Sequence, residues 1–248
     1  MSGHSKWANI RFRKERQDAA KGKIFTKLIK EITVAARSGG KDLEANPRLR
    51  TAVQNAKAQN MPAKNIENAI LKGTGELPGV TYEEITFEGY GPGGVALYIL
   101  VTTDNRNRSV AEIRYLLNKY GGNLGESGSV SWVFEKKGLI LISNESYPEE
   151  ELMLKAIDGG ADDFKVEGEY YEIYTQFEQL NNVRFFLEND GMNIENAELT
   201  MVPQNTVPLD GKQAEQMLKL MDALEDSEDV QNVFANFDID EEIMVKMQ

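Results

Sequence analysis

The 248-residue sequence contains no cysteine and a single histidine, His4. Without thiols there are no disulfides, no thiolate nucleophile and no cysteine-based zinc site. One histidine cannot build a histidine metal cluster or a His–Asp proton relay, so His4 reads as an ordinary surface or capping residue. Long apolar runs are missing too: the longest, Val95 to Val101, is far short of a membrane span. No apolar segment follows the positive N-terminus, and Glu15 and Asp18 interrupt its basic stretch. Neither a secretory signal nor a transit peptide is visible, and a cytoplasmic location with no membrane partner is expected. No P-loop and no G-x-S-x-G occurs. Asp238-Ile239-Asp240-Glu241 hints at a calcium loop but lacks the turn glycine and the closing glutamate spacing. Carboxylates lie mostly in caps and acidic runs such as Glu149–Glu151 and Glu225–Asp229, and nothing marks a catalytic pair. The expectation is no catalytic residue, no metal and no cofactor. An enzyme in the acidic part of the chain is an alternative that no motif supports.

What the sequence does have is charge, unevenly placed. Residues 1–75 hold 16 Lys and Arg against 6 Asp and Glu, a net of +10, whereas residues 76–248 hold 12 against 34, a net of −22. A basic terminal segment on an acidic body points to a polyanion-binding head. Lys and Arg gain affinity for phosphates by releasing condensed counterions, while the acidic body is repelled and turns the head toward the polymer. With 41% hydrophobic and 27% charged residues, the chain has enough apolar material for a packed core.

The first residues combine Lys6, Arg11, Arg13, Lys14, Arg16, Lys21 and Lys23 with Trp7 and Phe12. Such a stretch can grip a phosphate backbone and stack on an unpaired base, and its self-repulsion suits a segment that orders on binding. Trp7 has two readings, a stacking face for a base or a plug onto the following helices. Residues 23–38 predict a helix whose Phe25, Leu28, Ile29, Ile32, Ala35 and Ala36 form the core face, with Lys23, Lys27, Lys30 and Arg37 as a basic stripe opposite. Asn46-Pro47 starts a second helix with Leu49, Ala52, Val53 and Ala56 buried, and Asn60–Pro62 starts a third that ends at Gly73.

After a linker at 74–79 the period changes to two. Strands are expected at Tyr82–Glu88 and Val95–Thr102, joined by Gly89-Tyr90-Gly91-Pro92-Gly93-Gly94. That loop formally matches G-x-G-x-x-G, but a strand rather than a helix follows it, so it reads as a hairpin. Ser109-x-x-Glu112 predicts a capping box for the next helix, and Arg106 and Arg108 at its start are a candidate second phosphate or RNA contact, with local capping and salt bridging as the competing reading. Ser129–Phe134 is expected to be a strand with Trp132 in the core. From Gly138 onward the order is β-α-β-β-α-β, the split pattern of a ferredoxin-like domain. A helix at Lys212–Leu224 and a strand at Val230–Ala235 follow, the strand returning to the sheet begun near residue 80.

Three separated motifs resemble the YebC-type family. They are Gly3-His4-Ser5-Lys6-Trp7-Ala8-Asn9-Ile10 with Gly22-Lys23-Ile24-Phe25-Thr26-Lys27-Leu28, then Thr103-Asp104-Asn105-Arg106-Asn107-Arg108, and Gly128-Ser129-Val130-Ser131-Trp132-Val133-Phe134. Arg11-Phe12-Arg13 stands where many members carry a Lys-His pair, which keeps the charge. The resemblance implies an α+β protein: a helical N-terminal domain, 1–77, a discontinuous middle domain, 78–136 plus 206–248, and an inserted ferredoxin-like domain, 137–205. It also implies a DNA-binding transcriptional regulator or, alternatively, a translation factor on ribosomal or transfer RNA. A monomer is the expected state, and a basic protein is a candidate partner for the acidic body. Most of the basic stripe is Lys, which favours backbone contact over base readout.

Overall fold

A computed structural model describes residues 21–240 and Ile243. Those residues form two compact units, one of 21–129 with 211–233 and one of 130–210 with 234–240.

The first unit opens with three helices, α1 (Lys21–Gly39), α2 (Pro47–Ala58) and α3 (Ala63–Gly73). Asn46 caps α2: its side-chain oxygen accepts from the Leu49 amide, and its amide group donates to the Ala35 and Gly40 carbonyls at 2.9 and 2.8 Å. One buried side chain thus starts α2 and ties off the end of α1. Pro47 sits at the first helical position, where no amide hydrogen is needed. Ile32, Ala35, Ala36, Leu49, Ala52, Val53, Ala56, Met61, Ile66 and Ala69 close the core between the helices. Each large member contributes about 1.5–3 kcal/mol on burial. Gly73 lets α3 reach α1, because a β-carbon there would overlap the Thr33 carbonyl.

Strands β1 (Glu83–Tyr90) and β2 (Ala96–Thr103) pair antiparallel, from Glu83 opposite Thr103 to Tyr90 opposite Ala96. The glycine-rich loop between them is a tight turn with Gly93 and Gly94 at φ 72° and 80°, a conformation glycine adopts without strain. Then come α4 (Arg106–Lys119) and β3 (Asn123–Leu124). The unit is completed from far along the chain by α7 (Gly211–Glu225) and β9 (Val230–Ala235), giving the sheet order β3-β1-β2-β9. The expected return of the last strand to this sheet is therefore found, beside β2.

The second unit contains β4 (Phe134–Ser143), α5 (Glu149–Asp158), β5 (Asp163–Glu167), β6 (Tyr170–Gln176), α6 (Leu180–Asn189) and β7 (Asn196–Pro203). The strands are antiparallel in the order β5-β6-β4-β7, which is the ferredoxin-like arrangement of a β-α-β-β-α-β chain. Period two decides the faces: Ile140, Ile142, Tyr171 and Ile173 meet Leu152, Ala156, Val183 and Leu187, while Leu139, Leu141, Tyr170 and Tyr174 gather separately. A two-residue parallel pair joins β8 (Val207–Pro208) and β10 (Phe237–Asp238).

Two local expectations are corrected. Residues 131–133 form a short 3-10 turn ahead of β4, and Trp132 is 67% exposed rather than in the core. Its run of Val, Ser and Trp imitates strand alternation, but Gly128 at φ 86° has already turned the chain. The capping box at Ser109 is also absent. Asn105 caps α4, its side chain accepting from the Arg108 amide, and Ser109 lies inside the helix. Both residues are good N-caps, but the Ser109 hydroxyl is turned to Asp229 at 2.8 Å, and Asn105 holds the cap.

Candidate nucleic-acid interface

Lys6, Trp7, Arg11, Arg13, Lys14 and Arg16 lie outside the described residues, and Lys21 is described only by its place in α1. The remaining candidates of the α1 stripe, Arg37 apart, converge on one loop. Lys23 Nζ pairs with Asp226 at 3.1 Å, and Lys27 Nζ donates to the Glu225 carbonyl at 2.6 Å. That carbonyl closes α7, so the lysine charge meets the negative end of a helix. Lys30 goes deeper. Its ammonium donates to Asp229 Oδ1 at 2.7 Å and to the Glu228 carbonyl at 2.8 Å, and lies 5.7 Å from the centre of the Tyr82 ring. The residue is buried, at 6% exposure, instead of facing solvent as the helical spacing suggests. The physical reason is that the 225–229 loop covers this side of α1 with carboxylates and carbonyls, which compensate the buried ammonium.

Asp229 is the centre of the arrangement. Strand β2 positions it, since the Thr102 amide donates to its carbonyl at 2.8 Å. Besides Lys30, its carboxylate accepts from Thr103 Oγ1 at 3.0 Å, Ser109 Oγ at 2.8 Å, and Arg108 Nη2 at 2.8 and 3.0 Å. Burial alone would raise its pKa, but the hydrogen bonds from Lys30, Arg108 and Ser109 outweigh it and bring the value down to about 2. Arg108 also binds Asp104 at 2.8 Å, and the carboxylates of Asp229 and Asp104 raise the guanidinium's pKa. Thr103, Asp104 and Arg108 therefore serve an internal anchor between α1, α4 and β9.

Other basic groups stay outside. Arg37 is exposed at the end of α1, as are Lys57 on α2 and Lys64 and Lys72 on α3. Arg106 is exposed and reaches Glu83 only at 4.0 Å. Arg48 bridges Glu31 and Glu84, which raise its pKa against the opposing effect of burial. Lys57, Lys64 and Lys72 escape a reading of their helices for apolar stripes; the signal that could find them is their recurrence outside those stripes. Among the described residues no cluster of His, Asp and Glu is arranged to hold a metal, and no helix is long and apolar enough to cross a membrane.

Fold and site together define an α+β protein whose basic helical head is fastened to an acidic loop by a buried, multiply bonded carboxylate. Residues 5–76 match the model of the TACO1/YebC protein N-terminal domain, and residues 82–237 that of the TACO1/YebC second and third domain. A probable transcriptional regulatory protein of Geobacter sulfurreducens is 59% identical over 247 residues, covering 100% of both chains. One of Thermotoga maritima is 56% identical, covering 98% of this chain and 96% of that one. A solved structure, of a conserved hypothetical protein from Aquifex aeolicus, is 52% identical with a TM-score of 0.86, over 92% of this chain and 94% of that one. The chain belongs to the TACO1/YebC family.

Proposed function

We propose that this chain is a nucleic-acid-binding regulator of gene expression that grips DNA through its basic N-terminal head. The observation that carries the reading is the charge division, +10 over residues 1–75 against −22 over the remainder. The names of the relatives, probable transcriptional regulatory proteins, supply the process. In this reading the head, residues 1–77, is the binding domain. The discontinuous middle domain holds it in place and carries the ferredoxin-like insertion. Lys6, Trp7, Arg11, Arg13, Lys14, Arg16 and Lys21 make the first contacts, continued by Arg37. Lys23 and Lys27 contribute at the edge of the 225–229 loop, and Lys30 contributes by fixing α1. The protein acts without a catalytic residue or cofactor.

A second reading, binding to ribosomal or transfer RNA in translation, has one observation in its favour. The lysine row of α1 lies against the 225–229 loop and does not form an open, base-reading helix face. A head that neutralises backbone charge serves RNA equally well. Fluorescence anisotropy of the whole protein with duplex DNA and with RNA of matched length, titrated with salt, tests both. Tighter binding to particular duplexes, weakening steeply with salt, is expected. Preference for RNA, with co-sedimentation on intact ribosomes that ends when they dissociate, would replace the DNA reading. No salt-sensitive binding to either polymer would end both.

A further inference from the structure

Among the 12 Lys and Arg of the acidic residues 76–248, four lie on α4 alone, Arg106, Arg108, Arg114 and Lys119, against a single acid, Glu112. The helix divides by its period. Ser109, Ile113 and Leu117 are buried, whereas Asn107, Ala111, Arg114, Tyr115, Asn118 and Lys119 are exposed and recur at the spacing of one helical face. Tyr115 is 61% exposed. The Lys119 ammonium lies over its ring, 5.8 Å from the centre, and 5.2 Å from the centre of Tyr120, so the cation sits on one side of the Tyr115 ring. Ala111 keeps the middle of the face low. Arg108 is bound to Asp229, so among the described residues Arg114, Tyr115 and Lys119 are the charged and aromatic groups this face offers a ligand.

We propose that the outward face of α4 is a second nucleic-acid contact, which takes an unpaired segment with a base stacked on Tyr115 and phosphates on Arg114 and Lys119. The positive sign of the face, inside a body of net −22, selects a polyanion over a basic protein. The open aromatic ring selects unpaired bases over a duplex, because paired bases keep their faces inside the stack. Asn107 and Asn118 add uncharged donors and acceptors for backbone and base edges. Lys30 of α1 and Arg108 of α4 bind the same Asp229 carboxylate, so the two helices meet at one side chain. The inference rests on the nucleic-acid reading above and adds a second surface and a strand preference to it.

The test compares the whole wild-type protein with Tyr115→Ala, Tyr115→Phe and the double variant Arg114→Ala/Lys119→Ala. The probes are a labelled single-stranded RNA, a single-stranded DNA and a duplex DNA of equal length. Tyr115→Ala is expected to weaken binding of the unpaired probes about 5- to 150-fold, the range for removal of one base stack, and to leave the duplex unchanged. Tyr115→Phe keeps the ring and restores most of the affinity. The double variant lowers the salt slope by about one phosphate per removed charge. Unchanged affinity of Tyr115→Ala for unpaired probes, or equal weakening on duplex and unpaired probes, overturns the inference. If the wild type binds and Arg11, Arg13, Lys14 and Arg16 replaced by Ala abolish binding while Tyr115→Ala does nothing, only this second contact falls. If the wild type binds no probe, the nucleic-acid reading falls with it.

Discussion

Helices α1 and α4 are both basic, and they spend their charge differently. On α1, Lys23, Lys27 and Lys30 turn to the 225–229 loop and meet Asp226, the Glu225 carbonyl and Asp229. On α4, Arg108 binds Asp229 with its side chain half exposed, and Arg106, Arg114 and Lys119 are exposed. A count of Lys and Arg cannot distinguish the two. What decides is whether an acidic segment packs against the helix, and that segment comes from far along the chain: Lys30 and Asp229 are 199 residues apart. Part of the basic head's charge is therefore met within the molecule.

The comparison breaks most sharply at Asp229. Asp229→Ala leaves Lys30 buried without its counter-charge and removes the shared acceptor of Thr103, Ser109 and Arg108. A decrease of about 3–5 kcal/mol in unfolding free energy is expected from urea denaturation. Retention of wild-type stability would mean that Lys30 is compensated without Asp229. Acid probes the same anchor. The folded carboxyl titrates at about 2, below its ordinary 3.8. Since the folded value is the lower one, the stabilisation is complete above about pH 4 and drains away as the pH falls toward 2. Asp229→Asn should flatten this part of the stability profile. An unchanged acid limb would assign it to other carboxylates. The smallest effect is expected at the rim, where Lys23 and Asp226 are both solvated. Lys23→Ala should change stability by less than about 1 kcal/mol. An effect as large as that of Asp229→Ala would show that the loop is held by its edge and not by its centre.

The contrast between local and distant chemistry also governs how much is legible in the sequence. The Asn46-Pro47 helix start is readable because the cap and the amide it serves are three residues apart. The ferredoxin-like unit is readable because six consecutive elements alternate in period. Trp132 and Ser109 mislead for the opposite reason. Each carries a local pattern, strand alternation in one case and a capping box in the other, that neighbouring residues override. A turn at Gly128 precedes Trp132, and Asn105 reaches the cap position before Ser109. The role Ser109 does play, a hydroxyl donated to Asp229 from 120 residues away, leaves no local trace. The same holds for Lys30, whose place on the helix predicts a face but not what covers that face.

The most direct test of the account is the salt dependence of nucleic-acid affinity for the whole protein, compared with a variant in which Arg11, Arg13, Lys14 and Arg16 are replaced by alanine. The account predicts weaker binding at every salt concentration and a slope reduced by about one unit for each phosphate that is no longer neutralised. Equal affinity and an equal slope in the two proteins would contradict it, and would remove the basic head from the binding surface.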